Sequence, residues 1–220
     1  MIPIVDSDSI IYRSCNEDLD LACSNVDSYI SKIEDRFGVR GIVVLGGEGN
    51  FRNLIDPDYK IARRGKPKPD NYYEVRQYFI DKYDPEIVNG YEAEDYVGSI
   101  HKIEENVICG IDKDLDTIPG WHFNYVKDTY YEVTSDQAAY NFYFQLIMGD
   151  PTDSIKGIKG IGKVKAAKLL EGLNVSEYKE AVVNKYLEVY GDQGLIEFDK
   201  TARLIFIKRE SLTSEYFNYY

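Results

Sequence analysis

The sequence contains few of the residues that bind zinc or form disulfides. Among its 220 residues there are only two histidines and three cysteines. Cys15, Cys23 and Cys109 have neither paired spacing nor the spacing of a zinc site, and an odd cysteine count is typical of a reducing compartment. His101 and His122 stand alone in the sequence. We therefore predict no zinc site and no disulfide framework, and we expect Cys109, in the apolar run NVICGI, to lie in the core.

Long apolar runs are also absent. No stretch approaches the roughly 18 apolar residues of a membrane-spanning helix. The opening MIPIVDSDS lacks the apolar centre of a signal peptide. The sequence also has no Ser–His–Asp set, no Walker loop, no internal repeat and no low-complexity linker. We therefore expect a globular protein without a membrane segment, and neither serine-hydrolase nor P-loop chemistry.

The composition is that of a folded protein, and its charges are unevenly distributed. Hydrophobic residues make up 44% of the chain and aromatic residues 14%. The net charge of −12 argues against a general nucleic-acid binder. However, residues 60–68, KIARRGKPK, hold five basic side chains and no acid, and a second basic block follows residue 155. This map predicts an acidic pocket for divalent cations beside basic segments that contact phosphates.

Strand-like and helix-like segments alternate over residues 1–134. The predicted strands cover 2–5, 41–47, 86–91 and 106–112, the predicted helices cover 25–37, 71–83 and 92–103, and a hairpin is predicted near 121–134. From residue 135 onward the pattern is helical. Alternation of this kind predicts an α/β sheet flanked by helices, with the functional site beyond the carboxyl ends of the strands. We predict an α/β domain over 1–134 and a helical region over 135–220.

Carboxylates follow the ends of several predicted elements. The candidate metal ligands are Asp6, Glu92, Glu94, Asp95, Asp112, Asp114, Asp150 and Asp153. Packed carboxylates repel one another, and bound cations relieve that repulsion. Oxygen ligands without cysteine or histidine favour Mg²⁺ or Mn²⁺ over zinc. Two such ions about 4 Å apart activate water and stabilise the leaving oxygen of a phosphodiester.

The most informative segment is GDPTDSIKGIKGIGKVKAAKLL, residues 149–170. It contains two of these acids, a glycine-rich hairpin and a lysine-rich helix. Backbone N–H groups exposed where a helix begins bind phosphate. The segment predicts a helix–hairpin–helix at about 149–172 that holds a nucleic-acid backbone. Its candidate DNA-binding residues are Lys156, Lys159, Gly160, Gly162, Lys163 and Lys165.

Several of these motifs together resemble the flap endonuclease / 5′–3′ exonuclease family, most closely its short phage-type members. The matching stretches are VDSDSIIYR, DPDYKIARRGKPKP, GYEAEDYVG, IDKDLD and the segment at 149–170, which together span roughly residues 2–172. The resemblance implies a PIN-like 5′-nuclease fold in which Asp6 ligates metal. It also implies a basic arch at about 57–70, in which Lys60 and Arg63 contact the scissile phosphate. Tyr59, Arg64 and Lys66 are further candidate DNA contacts, Tyr59 by stacking on the terminal base.

The sequence departs from the family pattern at three positions. Gly47 stands where the family often has a metal-binding aspartate, with Glu48 beside it. Glu94 replaces an aspartate, and Ala62 replaces an asparagine before the arginine of the basic arch. The first departure leaves the occupancy of one metal site open. Asp8 and Asp116 lie outside the matched positions and are interpreted as surface residues or indirect contributors.

The resemblance implies a metal-dependent nuclease that cuts DNA at or near 5′ ends, in replication, repair or recombination. Implied substrates are duplex 5′ ends, 5′ flaps and RNA–DNA hybrids, with two Mg²⁺ or Mn²⁺ ions and a K⁺ ion at the hairpin. A replication polymerase or a single-strand-binding protein is a candidate partner. We expect a monomer in the cytoplasm, which is the host cytoplasm if a phage encodes the chain. Two alternatives stay open: a PIN-like ribonuclease, and a non-catalytic helix–hairpin–helix DNA-binding protein.

Overall fold

A computed structural model describes residues 1–213. It contains a six-stranded sheet with helices on both faces, followed by a region built from helices. The strands of the sheet are β1 (Ile2–Asp6), β2 (Ile42–Gly46), β3 (Glu86–Val88), β4 (Asn106–Cys109), β5 (Gly120–Asn124) and β6 (Thr129–Val133). Two further strands, β7 (Gly149–Asp150) and β8 (Ile155–Lys156), form a separate pair. The helices are α1 (Asp8–Ser14), α2 (Leu19–Phe37), α3 (Arg52–Ile55), α4 (Tyr72–Tyr83), α5 (Ala93–Ile100), α6 (Ser135–Met148), α7 (Lys163–Leu170), α8 (Val175–Tyr190) and α9 (Gly194–Ile205).

The order of the strands places the functional edge of the sheet. The order is β3-β2-β1-β4-β5-β6, and neighbouring strands are parallel except for β5 and β6. The first three strands are added in one direction, from β1 to β2 to β3. After α5, the fourth strand β4 pairs with the other side of β1. Ligands bind such sheets where the strand order reverses, outside the carboxyl ends of the strands. That point lies between β1 and β4, so both strands direct their following residues toward one crevice.

Alternating residues of the strands build two cores, one on each face of the sheet. In β1, Val5 packs with residues of α1, α2 and α4, whereas Ile4 packs on the opposite face with α5. β4 follows the same rule, since Cys109 belongs to the first core and Ile108 to the second. Cys109 is fully buried, which confirms the prediction from its apolar run. Burial on both faces explains why these strands are nearly continuous apolar runs.

The helices after the sheet share a core of their own. Residues of α6, α7, α8 and α9 pack around buried side chains such as Phe142 and Tyr186, and Tyr59 from the basic segment joins them. Ile207, which follows α9, packs instead with the core on the α5 face of the sheet. The helical region is therefore docked on the sheet, and the boundary at residue 134 remains a prediction.

Most predicted elements are confirmed, with shifts at their ends. The hairpin near 121–134 is β5 and β6, and the helical character after residue 135 is present in α6 to α9. α1 was not predicted, because its seven residues are too few to show helical periodicity. α2 begins earlier than predicted because Asp18 caps it, accepting the Leu21 N–H at 3.1 Å. Residues 214–220, which belong to the predicted helical region, lie outside the residues that the structure describes.

The basic segment at 57–70 differs from the predicted helical arch. Its only regular structure is a 3₁₀ turn, Ile61–Arg63. Lys60 has a positive φ of 53°, and its backbone N–H donates to the Asp153 carbonyl at 2.8 Å. Gly65, Pro67 and Pro69 then oppose a longer helix. The segment therefore lies against the helical region as a short basic loop. No helix among residues 1–213 is long and apolar enough to cross a membrane.

Candidate metal and nucleic-acid site

Seven of the eight predicted metal ligands share one site, at the junction of the sheet and the helical region. They come from four places: the end of β1, the first turn of α5, the loop after β4 and the loop between β7 and β8. The seven residues are Asp6, Glu92, Glu94, Asp112, Asp114, Asp150 and Asp153. Their charges act on one another across these elements, for example Asp112 on both Asp6 and Glu94. The topology explains the meeting, since β1 and β4 are adjacent and parallel.

Burial and mutual repulsion perturb this carboxylate cluster strongly. Burial raises the pKa of Asp6 to about 8, and the charges of Asp8 and Asp112 add to the effect. The pKa of Glu94 lies well above its ordinary value because of burial and the charges of Glu92 and Asp112. Burial and Asp112 likewise raise the pKa of Asp114. Negative charge is therefore costly at the centre of the cluster unless a cation is present.

Basic side chains balance the outer acids. Burial alone would raise the pKa of Asp150, but Lys113 Nζ, 2.8 Å from Asp150 Oδ2, holds it below its ordinary value. Lys113 Nζ also lies 3.1 Å from Asp114 Oδ1. On the other side, Lys60 Nζ pairs with Glu92 and lies 3.4 Å from Asp153 Oδ2.

Two further groups complete the polar surroundings of these acids. Arg63 Nη2 lies 2.7 Å from Asp153 Oδ1. Gln145, on α6, donates to Asp114 Oδ1 at 2.6 Å. Lys60 and Arg63, which the sequence assigned to phosphate, are thus both at the site. Lys113 and Gln145 were missed, because one lies in an acidic loop and the other on a helix far along the chain.

Asp95 is the exception among the predicted ligands, because the structure pairs it with Arg52, and this arrangement argues against its predicted role as a metal ligand. Its carboxylate is completely buried and forms a bidentate pair with Arg52, at 2.6 and 2.9 Å. One oxygen also accepts the Glu92 N–H, which caps the start of α5. Asp95 occupies the third position of α5, so its side chain points back toward the helix N-terminus, where it completes the capping box with Glu92.

Tyr59 is not a stacking platform for a base. Its ring is 3% exposed and packs in the core of the helical region. Its hydroxyl donates to Glu92 Oε2 at 3.0 Å and to Asp153 Oδ2 at 3.3 Å. Burial and these neighbouring charges raise the pKa of the phenol, which stays protonated and acts as a donor. The sequence placed Tyr59 in a polar loop, and its burial comes from the contact of that loop with α6 to α9.

Asp8 belongs to the site, although it was interpreted as a surface residue or an indirect contributor. Strand β2 ends in glycines, and the Asp8 carboxylate accepts the Gly46 N–H at 3.2 Å. A Cβ atom on Gly46 would stand 2.7 Å from Asp8 Oδ2. A side chain at Gly47 would meet the Val88 carbonyl at 2.9 Å. Asp8, at the start of α1, thus places a carboxylate beside the end of β2, and its spacing of two residues from Asp6 was the signal for it.

The predicted phosphate-binding residues lie together on an exposed surface. The segment runs from α6 through the β7–β8 pair and a glycine turn into α7. Its exposed members are Lys156, Lys159, Gly160, Gly162, Lys163 and Lys165. Gly160 has a φ of 78°, which only glycine adopts easily, and Gly162 precedes the first residue of α7. The start of α7 thus presents free N–H groups and lysines on the same side of the helical region.

The remaining basic residues lie on the loop at 57–70. Arg64 is exposed and donates to Asn53 Oδ1 at 2.7 Å, and Lys66 is exposed as well. Lys68 sits over the Tyr12 ring at 4.7 Å from its centroid. The loop therefore carries basic groups from the carboxylate cluster outward along one side of the cleft.

The chemistry of the donor set fits hard divalent cations. All the clustered groups offer oxygen, and the raised pKa values of Asp6, Glu94 and Asp114 reflect burial and a repulsion that a cation would relieve. Within residues 1–213, no three His, Cys, Asp or Glu side chains stand close enough to hold an ion as they are. Lys60 lies between Glu92 and Asp153, and Lys113 lies between Asp114 and Asp150, so four of the acids are bridged by ammonium groups.

Comparison with curated proteins supports the predicted resemblance. The chain is 28% identical over 173 residues to an exonuclease of Escherichia phage T7, covering 72% of this chain and 56% of the relative. It is 28% identical over 148 residues to an exodeoxyribonuclease of Enterobacteria phage T3, covering 63% and 49%. A 5′-3′ exonuclease of Bacillus subtilis (strain 168) is 28% identical over 176 residues, covering 69% and 57%. The chain spans about half the length of the curated relatives it matches. No family model matches it.

Solved structures confirm the fold. A flap endonuclease of bacteriophage T5, in a complex with DNA and metal ions, superposes with a TM-score of 0.64 at 17% identity, covering 93% of this chain and 98% of that chain. The catalytic core of Rad2 in complex with DNA substrate gives a TM-score of 0.55 at 15% identity, covering 94% and 79%. The α/β fold of the 5′-nuclease type with a C-terminal helical region is therefore confirmed, as is the resemblance to the flap endonuclease / 5′–3′ exonuclease family.

Proposed function

We propose that this protein is a divalent-metal-dependent nuclease that cuts DNA at or near 5′ ends, as a 5′–3′ exonuclease and flap endonuclease. The observation that carries the proposal is a buried, oxygen-only carboxylate cluster flanked by an exposed phosphate-binding surface. The 3₁₀ turn that carries Asp114 and helix α7 with its lysines both pack against α6. The names of the relatives, which are exonucleases, and the bound DNA and metal of the T5 structure support it.

Each part of the site has a distinct role in this proposal. Asp6, Glu94, Asp112 and Asp114 would hold one or two Mg²⁺ or Mn²⁺ ions, with Glu92, Asp150 and Asp153 completing the set. Such ions supply a nucleophilic hydroxide and stabilise charge on the leaving oxygen. Lys60 and Arg63 hold the scissile phosphate and offset the charge that develops there. In the protein alone they pair with Glu92 and Asp153, so binding of cations by these acids would free the basic groups for phosphate.

The surface at the start of α7 binds the duplex backbone away from the cut. Gly160 and Gly162 let the backbone approach a phosphate closely, and Lys156, Lys159 and Lys163 add charge. We include in this proposal a K⁺ ion bound by carbonyls of the turn. Substrates would include 5′ flaps and RNA–DNA hybrids, and a replication polymerase or single-strand-binding protein would be a partner. The protein would act as a monomer, in the host cytoplasm if a phage encodes it.

The test is cleavage of 5′-labelled flap DNA, blunt duplex and single-stranded RNA, with Mg²⁺ or with EDTA. We expect Mg²⁺-dependent cleavage near the DNA 5′ end, and loss of orders of magnitude in turnover for Asp112→Asn. Lys102→Ala, which changes an exposed surface pair with Glu105, is the matched control and should cleave like the wild type. Cleavage of RNA alone would favour the PIN-like ribonuclease, and DNA binding without cleavage would favour the non-catalytic clamp. Undiminished turnover of Asp112→Asn at saturating Mg²⁺ would contradict the metal role.

A further inference from the structure

Among residues 1–213, Arg52 is the most completely buried basic side chain. It is 2% exposed, in the short helix α3. Its Nε donates to the Leu204 carbonyl at 2.8 Å, and Nη2 donates to the Phe206 carbonyl at 2.9 Å. Nη1 and Nη2 also form the bidentate pair with Asp95. All three guanidinium nitrogens are thus engaged, a pattern that no lysine can reproduce.

These contacts join three separate parts of the chain at one point. The Leu204 and Phe206 carbonyls lie at the end of α9, and Asp95 lies in the first turn of α5. Asp95 Oδ1 additionally accepts the Lys208 N–H at 3.2 Å, so the segment after α9 is tied to the same carboxylate. The contact is tight, because a Cβ atom on Gly98 of α5 would stand 3.1 Å from Ile207 Cγ2.

The first turn of α5 is also where two acids of the cluster arise. Glu92 immediately precedes α5, its N–H donates to Asp95, and its Oε2 lies 3.6 Å from Arg52 Nη1. Glu94 lies between the two residues that Arg52 contacts. Any tilt or shift of this turn therefore moves both carboxylates relative to Asp6 and Asp112, which are fixed by the sheet.

Stability alone does not account for such an arrangement. A buried ion pair pays a large desolvation cost, and its replacement by apolar residues of similar volume is often neutral or stabilising. The pair instead fixes an orientation, since a planar guanidinium that donates to one carboxylate and two carbonyls can be satisfied in only one arrangement. That orientation is imposed on a turn that carries metal-site acids.

We infer that Arg52 is a positioning residue of the divalent-cation site: one buried guanidinium fixes the first turn of α5, with Glu92 and Glu94, against the end of α9. The inference rests on the proposed function, because it gives Arg52 its role through that cation site. It also makes docking of the helical region a condition for correct placement of these two acids.

The test is Mn²⁺ affinity, measured from the electron paramagnetic resonance signal of free Mn²⁺, in proteins shown to be folded by circular dichroism. Arg52→Lys keeps the charge and loses the fork, and we expect about 10- to 100-fold weaker Mn²⁺ binding. The double variant Arg52→Met, Asp95→Leu leaves no buried charge unpaired, so it keeps the fold even if single variants lose it. It should show the same loss.

The matched control is Asp27→Asn, which weakens a hydrogen-bonded network with Tyr78, Tyr83 and Lys82 on the opposite face of the sheet. It should lower the melting temperature and leave Mn²⁺ affinity unchanged. A folded double variant that binds Mn²⁺ as tightly as the wild type would overturn the inference and reduce Arg52 to a fold contact. A wild-type protein that binds no Mn²⁺ would overturn the proposed function, and this inference with it.

Discussion

At the scale of single residues, the site is defined by which charges face each other. Lys60 shows this best, because it belongs to a basic loop yet its ammonium contacts Glu92 and Asp153. Burial lowers the pKa of such an ammonium, but the charges of Glu92 and Asp153 outweigh burial and keep it raised. Lys60 is therefore a charged group held at the edge of the candidate metal site, within reach of a phosphate bound there.

Replacing Lys60 by Ala should change two quantities in opposite directions. Mn²⁺ binding should become tighter, because a cation that competes for the same carboxylates is removed. The single-turnover cleavage rate should fall, because a group that offsets transition-state charge is lost. Equilibrium titration and single-turnover kinetics measure the two quantities on the same variant.

Lys66→Ala is the control for this variant. Lys66 lies on the same exposed loop and makes no ion pair within residues 1–213. It should weaken DNA binding in a salt-dependent way and leave both Mn²⁺ affinity and the single-turnover rate unchanged. If Lys60→Ala behaves like Lys66→Ala, Lys60 has no part in the chemical step.

At the scale of elements, the turn before α7 contains two glycines, Gly160 and Gly162, whose backbone conformations differ. Gly160 requires its positive φ, whereas Gly162 has an extended backbone that any residue adopts. A Cβ atom on Gly162 meets nothing within 4 Å. Neither its backbone angles nor a neighbouring atom requires glycine at 162, and the space in front of it is open for a phosphate.

Gly162→Val should consequently weaken duplex binding strongly, whereas the melting temperature should fall only modestly because valine is a poorer N-cap for α7 than glycine. Its side chain would project into the space that a phosphate needs at the start of α7. Fluorescence anisotropy with labelled flap DNA at several salt concentrations measures the affinity, and Lys163→Ala should reduce the salt slope by about one. Wild-type affinity for Gly162→Val across that salt range would mean that the turn does not bind the backbone.

The same scale shows what could be predicted from the sequence. Strands β1, β2 and β4 were predicted because apolar runs of four to five residues ending at glycine or aspartate are local signals. The acids of the site were predicted for the same reason, since each follows an element or opens a helix. Arg52, Lys113 and Gln145 were not predicted, because only the fold brings them to their partners. One partner of Arg52 lies 154 residues away along the chain, and those of Lys113 and Gln145 lie 37 and 31 residues away. The burial of Tyr59 and the pairing of Asp95 with Arg52 were not predicted, because a motif does not show which way a side chain points.

At the scale of the whole molecule, the acid cluster links metal binding to folding. The pKa of Asp6 is about 8 in the folded protein, against 3.8 ordinarily. The folded state therefore binds more protons than the unfolded state between these two values, so its stability falls as pH rises through that window. The two histidines act in the opposite sense at lower pH, because burial lowers the pKa of His101 to about 4 and lowers that of His122 as well. Between about pH 7.5 and pH 8, a full unit or more above the ordinary histidine pKa, both histidines are neutral in either state and the carboxylates determine the slope.

In EDTA, the free energy of unfolding should thus decrease from about pH 7.5 to pH 8. Each unit of difference in pKa corresponds to about 1.4 kcal/mol, and mutual coupling of the acids spreads the effect over the cluster. Urea denaturation at fixed ionic strength measures the slope. Asp6→Asn should flatten it, because the residue that titrates is replaced by a neutral one.

Added Ca²⁺ should raise stability most at pH 8, since a bound cation favours the ionised carboxylates. A slope that is equally steep in the wild type and in Asp6→Asn would show that the cluster does not limit stability in this range.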